Sequence, residues 1–349
     1  MTRLQVSGGP MNSDMGRVRE LVDRARTSER KGEAAKALGL YDDALAMFDA
    51  DTLDPFLADV LRWKGTLLRE RGETEAAFRN YNLSLAQASR AGTPAGEAHA
   101  FNCLGIIAQR RGDPKEAERN YEKAAALAHA SGEARLLGMI EQNRGVLANT
   151  RGEFALAAEY YANSLAAFEK TGDAEALSWV LNNLGMLHTK IRNFGDALQY
   201  LQRALSIATG RDDSVVMSVA TLNIAELWLG MGSLELAQEW AGRALADSVH
   251  RGDHLTAAGA LKCRARVERE RGALDKSIAT LRIALYEAEG AEDHLLHAEL
   301  LRELGEISRA LGNAGAARSA WREAAASFSA IGARHDAVNV RSQIESLAK

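Results

Sequence analysis

Residues that break helices or cross-link chains are scarce here. There are four prolines and two cysteines in 349 residues, and aromatic residues make up only 6%. So few prolines leave long helical stretches uninterrupted. No apolar run approaches the roughly 18 residues that a membrane-spanning helix needs, so no membrane partner is expected. Met1–Asp14 lacks the apolar segment of a secretory signal. The net charge is −4, which gives no overall basic field for nucleic acid. No glycine loop follows a strand, and no Ser/His/Asp or Cys/His set stands out by position. The sequence therefore assigns no catalytic residue, no cofactor and no metal, and an enzyme is not expected.

What the chain does have is a period. Gly65, Gly105, Gly145, Gly185, Ala225, Ala265 and Gly305 follow one another at intervals of 40 residues. Seven positions after each runs a second ladder, which starts earlier at Gly32: Gly72, Gly112, Gly152, Gly232, Gly272 and Gly312, broken only by Arg192. A fixed period of this size marks stacked repeats. Residues 98–130 show one unit. Ala98–Arg111 has apolar residues at helical spacing, Gly112 ends that helix, and Asp113-Pro114 opens a second from Lys115 to His129. The second helices repeat a small residue (Ala37, Ala77, Ala117 and onward), then a large one four positions on (Tyr41, Tyr81, Tyr121, Tyr161, Leu201, Leu281, Trp321, with Ala241 the exception). Three positions further comes Ala or Ser. Small residues let helices approach, and the large one fills the remaining space. The expected layout is a flexible segment 1–14, eight repeats over 15–331 and a C-terminal capping region 332–349, with a helix over Asp336–Ala348. Cys103 and Cys263 fall four repeats apart, too far to bridge within one rod. They read as free thiols of a reducing compartment, which points to the cytoplasm.

The Leu-Gly pairs of the first helices (Leu104-Gly105, Leu184-Gly185, Leu304-Gly305), the glycine seven later and the Ala-x3-Tyr-x2-Ala/Ser frame resemble the tetratricopeptide repeat family. The family's usual period is about 34 residues. The longer one is similar to that of kinesin light chains, Pins-type adaptors and bacterial peptide-sensing regulators. The resemblance implies an all-α fold: a right-handed superhelix, or α-solenoid, whose first helices line a concave groove for peptides or partner proteins.

Phase around the glycine separates the packed face of each first helix from the face opposite. In the middle repeats that opposite face carries amides and apolar groups where charge is usual. Its candidate partner-binding residues are Asn102, then Met139, Gln142, Asn143 and Asn149, then Trp179, Asn182, Asn183 and Met186, then Asn223. An amide donates and accepts, so Asn143, Asn183 and Asn223, which recur in phase, suit the two groups of a peptide backbone. Trp179, Met139 and Met186 suit apolar pockets. The alternatives are an asparagine kept as a general family feature, a superhelix closing on itself, or two copies of the chain packed groove to groove.

Toward the C-terminus the same face carries Lys262, Arg266, Arg269, Arg302 and Arg309, balanced in part by Glu270, Glu299, Glu303 and Glu306. These cations read either as a clamp for an acidic group or as a solvated charged face. His294 and His297 lack a third ligand at metal spacing. His188 and Trp228 occupy a packing position. Arg192 marks a mildly strained helix end, with Asn193 the next cap. The functional expectation is a non-enzymatic scaffold or adaptor holding an extended peptide or protein segment. A regulator whose superhelix changes pitch on binding an effector, and a self-assembling structural protein, are the alternatives.

Overall fold

A computed structural model describes residues 11–49, 52–291 and 293–347. The described residues form 17 helices and no strand. The first helices of successive pairs are α1 (Met11–Arg30), α3 (Pro55–Glu70), α5 (Pro94–Arg110), α7 (Ala134–Arg151), α9 (Ala174–Lys190), α11 (Ser214–Gly230), α13 (His254–Glu270) and α15 (His294–Ala310). Their partners are α2 (Ala34–Leu45), α4 (Thr74–Arg90), α6 (Pro114–Ser131), α8 (Phe154–Thr171), α10 (Phe194–Gly210), α12 (Leu234–Arg251), α14 (Leu274–Ala291) and α16 (Ala314–Ala330), and α17 (Arg334–Ser346) follows. Helix α1 begins at Met11, ahead of Met15. The flexible reading of Met1–Pro10, and the last residues Ala348 and Lys349, lie outside the described residues. Helix α17 starts two residues ahead of Asp336, which sits in its first turn.

The chain divides into two compact units. Met1–Ile107 with Arg119–Glu133 form one, and Ala108–Glu118 with Ala134–Lys349 the other. In the first, Val18, Val22 and Ala25 of α1 pack on Ala37, Tyr41 and Ala44 of α2, and Leu68, Ala77, Tyr81, Leu104 and Ile107 form the next layer. In the second, successive layers gather around Tyr161 and Phe168, around Leu201 and Ile224, around Ala225 and Ala241, around Leu281 and Leu300, and finally around Trp321, Phe328 and Val340.

The two ladders have different physical causes. Each glycine of the first ladder faces the large residue of the following helix. A Cβ on Gly105 would lie 2.4 Å from the Tyr121 ring, one on Gly145 2.5 Å from Tyr161, and one on Gly185 2.4 Å from Leu201. The second ladder ends helices. Gly112 has φ +73°, and its N–H and that of Asp113 return to the Gln109 and Ala108 carbonyls. Asp113 then caps α6, its Oδ1 accepting from Glu116 N–H at 2.9 Å. Arg192 takes the same left-handed conformation, at φ +64°. Asn193 holds the cap position of α10, but its side chain bonds Asp196 at 2.7 Å instead of a backbone N–H. Asp212 is left-handed too, at φ +54°. It falls in phase with Gly92, Gly132, Gly172, Gly252 and Gly332, a third ladder between repeats.

The C-terminal unit also returns on itself. The turn between α16 and α17 touches the turns that end α5 and α7. A Cβ on Gly112 would lie 2.1 Å from the Ala330 carbonyl oxygen, and one on Gly332 3.2 Å from Pro114. The His335 ring meets Phe154 edge-on, centroids 5.5 Å apart. Lys190, at the end of α9, lies over the Phe154 ring, 5.3 Å from its centroid.

Candidate functional site

Within the C-terminal unit the first helices α7, α9, α11, α13 and α15 lie side by side, and the candidate residues fall into two chemically distinct zones. The amide zone spans α7, α9 and α11. Met139, Gln142 and Asn143 of α7, Trp179 and Asn183 of α9 and Asn223 of α11 are half-buried, and Met186 is 37% exposed. Asn183 makes no side-chain hydrogen bond to a described residue. Other amides are turned inward. Asn182 is buried, and its Oδ1 accepts from Asn223 Nδ2 at 2.9 Å, joining α9 to α11. Asn149 is buried as well, and its Oδ1 has no hydrogen-bond partner among the described residues. Asn102 belongs to the N-terminal unit and is buried there. Asn102, Asn149 and Asn182 are thus interior groups. Their phase places them near the edge of the packed face, where neighbouring helices cover them.

The charged zone spans α11, α13 and α15, and its cations are already paired. Lys262 Nζ lies 2.5 Å from Glu299 and 3.5 Å from Glu226. Arg266 reaches Glu226 at 2.8 Å and Glu303 at 3.7 Å. Arg269 bonds Glu303 at 2.6 Å and Glu270 at 3.1 Å. Arg309 pairs with Glu306 at 2.9 Å, and Arg302 with Asp336 at 2.7 Å. The five cations, which the sequence offers either as a clamp for an acidic group or as a charged face, each lie against a carboxylate of the chain itself. The sequence shows most of these acids but not that they face the cations across adjacent helices. Burial alone would push the Lys262 ammonium down, yet Glu299 and Glu226 hold it above its ordinary value. Burial would likewise raise Glu299, but Lys262 and Arg302 bring it down to about 2.

Three participants were not legible from periodicity. Lys190 lies 3.7 Å from the second oxygen of Asp336, and His335 and Phe154 flank that pair. Asp336 thereby connects α17 to both α15 and α9. Nothing in the 40-residue repeat brings Lys190 toward Asp336.

Among the described residues no group of three or more His, Cys, Asp or Glu could hold a metal ion. Both cysteines are free. Burial pushes the Cys263 and Cys103 thiols up, which keeps them protonated and poor nucleophiles. His188 packs against Tyr200, ring centroids 5.2 Å apart and planes tilted by 53°. No helix among the described residues is long and apolar enough to cross a membrane.

Residues 56–130 and 133–210 match the family model "Tetratricopeptide repeat". No curated protein matches the sequence. Several solved structures share the fold. A Rap protein complexed with Competence and Sporulation Factor aligns at TM-score 0.64 and 14% identity, over 95% of this chain and 97% of that one. The Rap conjugation gene regulator of the plasmid pLS20, in complex with the Phr* peptide, gives 0.65 and 14%, over 83% and 79%. A tetratricopeptide repeat protein from Parabacteroides merdae gives 0.55 and 20%, over 84% and 99%. Residues 56–130 and 133–210 thus carry tetratricopeptide repeats, and the chain shares the helical-solenoid fold of tetratricopeptide repeat-type structures.

Proposed function

We propose that this protein is a non-enzymatic binding module that holds an extended peptide or protein segment on the first-helix face of α7, α9 and α11. One observation carries the reading. Asn183, Met139, Trp179 and Met186 are uncharged and partly exposed, and Arg135, which reaches the Met139 sulfur at 3.7 Å, is paired with Asp173, just as the charges of α11, α13 and α15 satisfy one another. An amide without an internal partner can pair with a peptide backbone whatever its sequence, and the apolar groups beside it can take side chains. Two structures of the same fold were solved with a bound factor or peptide, which supports the reading. The two free cysteines fit a reducing, cytoplasmic setting.

To test it, decapeptides are selected from a random display library against the full chain, and their affinities are measured for Asn183→Ala. Loss of about one backbone pair weakens binding roughly tenfold, with the helical signal unchanged. Selected peptides that bind Asn183→Ala as tightly as the parent would overturn the reading.

A sensor is the second reading, and it rests on the contact between the α16–α17 turn and the turns at Gly112 and Gly152. A ligand that favours the open over the closed arrangement would shift that equilibrium.

A further inference from the structure

Asp336 is a buried carboxylate delivered by the C-terminal helix to two cations that form no ion pair with another carboxylate among the described residues. Its Oδ1 lies 2.7 Å from Arg302 Nη1 on α15, and its Oδ2 3.7 Å from Lys190 Nζ on α9. The remaining cations of the charged zone draw their counter-charge from the first helices themselves. Glu299 feels both Arg302 and Lys190, but its ion pair is with Lys262. Asp336 also sits where the unit closes on itself. The residues just before it, Ala330 to His335, touch Gly112, Pro114, Gly152 and Phe154. One carboxylate thus neutralises the cation pair and holds the closing turn.

We propose that Asp336 stands in for a ligand carboxylate: an acidic peptide binds the first-helix face by displacing Asp336 from Arg302 and Lys190, and the displacement parts the contact between the α16–α17 turn and the turns at Gly112 and Gly152. This rests on the peptide-binding reading above and names the chemistry of the partner. Arg302 and Lys190 select for a carboxylate, since each recognises one in the resting protein. The internal carboxylate competes at the high effective concentration of a tethered group. A small free acid therefore fails, and an acidic peptide succeeds only by adding contacts along the amide zone. The competition lowers the apparent affinity by the fraction of molecules already open.

The test uses the full chain and fluorescein-labelled hexaglutamate, with hexaglutamine as control, followed by anisotropy. Asp336→Asn keeps the shape and an acceptor but removes the charge, so hexaglutamate binds roughly tenfold more tightly and hexaglutamine does not. Asp336→Glu behaves as the parent, and adding Arg302→Met to Asp336→Asn abolishes the gain. Unchanged hexaglutamate affinity in a folded Asp336→Asn overturns the proposal. A second measurement holds if that variant folds poorly. A Cβ on Gly332 would lie 3.6 Å from Pro114 Cβ, within the range of disulfide-linked residues. In a Pro114→Cys, Gly332→Cys chain, saturating hexaglutamate slows disulfide formation at least about threefold if the contact parts; an unchanged rate overturns the proposal. Selected peptides that still depend on Asn183 while hexaglutamate gains nothing leave the binding reading standing and remove only this inference.

Discussion

A methyl group on Gly305 would lie 2.2 Å from Cδ1 and Nε1 of Trp321, so the α15 backbone rests directly on the indole. The indole N–H completes the contact by donating to the Arg302 carbonyl at 3.0 Å. Gly305→Ala must push the largest fully buried side chain of its layer out of place, and overpacking of this kind costs about 1–3 kcal/mol. In the sixth repeat the same pair is Ala225 and Ala241, where the large residue has been reduced and the glycine has gained a methyl. Ala225→Gly should therefore cost only about 0.5–1 kcal/mol, from backbone freedom and lost burial. Urea unfolding of the two variants checks the order, and equal losses would remove the steric account.

Arg192 and Asp212 hold left-handed backbone without being glycine. Each such residue costs roughly 1 kcal/mol, which glycine avoids. Arg192 recovers part of that through its guanidinium, 5.4 Å from the Phe194 ring. Both Arg192→Gly and Asp212→Gly should raise the melting temperature, Asp212→Gly by more. A drop in either would show that the side chain's contacts outweigh the strain.

The period made the helix pairs, their turns and their packed faces legible, because those features depend on neighbours a fixed distance along the chain. Ala37, Tyr41 and Ala44, and their counterparts up to Ala317, Trp321 and Ala324, are all buried. The site was less legible. Asn182 and Asn183 are adjacent in sequence, yet one is interior and the other half-exposed, a difference set by the rotation of α9 against α11. The pairing of Lys190 with Asp336 depends on how far the stack curls, which accumulates over several repeats and leaves no mark in any one of them.

That difference separates two asparagines by their energetics. Asn223→Ala strips the buried Asn182 of its hydrogen bond and should cost about 1–3 kcal/mol of stability. Asn183→Ala leaves no internal group unpaired and should stay within about 0.5 kcal/mol of the parent. Denaturant midpoints decide this, and comparable losses at both positions would mean that Asn183 is also structural.

Glu299 gives the charged zone an acid dependence of known sign. Burial opposes its ionisation, but Lys262 and Arg302 hold its pKa at about 2, below the ordinary 4.5. A folded pKa below the unfolded one stabilises above the unfolded value, and the contribution fades as pH falls toward the folded value. Glu299→Gln should thus be less stable than the parent at neutral pH, and the gap should narrow between about pH 4.5 and pH 2. Urea midpoints across that window check it, and a gap independent of pH would show that the loss comes from packing alone.

Gly112 carries two constraints, where Gly232, at the same place in its repeat, carries one. Both are left-handed, at φ +73° and +80°. An added Cβ on Gly232 meets nothing within 4 Å, whereas on Gly112 it would lie 2.1 Å from the Ala330 carbonyl oxygen. Alanine at either position costs roughly 1 kcal/mol of backbone strain. Only Gly112→Ala also collides with the α16–α17 turn. Backbone cannot yield as a flexible side chain does, so that turn must move away, carrying His335 from Phe154 and Asp336 from Lys190. Hydrogen exchange over Ala330–Asp336 should accelerate in Gly112→Ala and stay at the parent rate in Gly232→Ala, with the helical signal kept in both. Equal exchange in the two variants would mean that the contact at Gly112 does not hold the C-terminal turn in place.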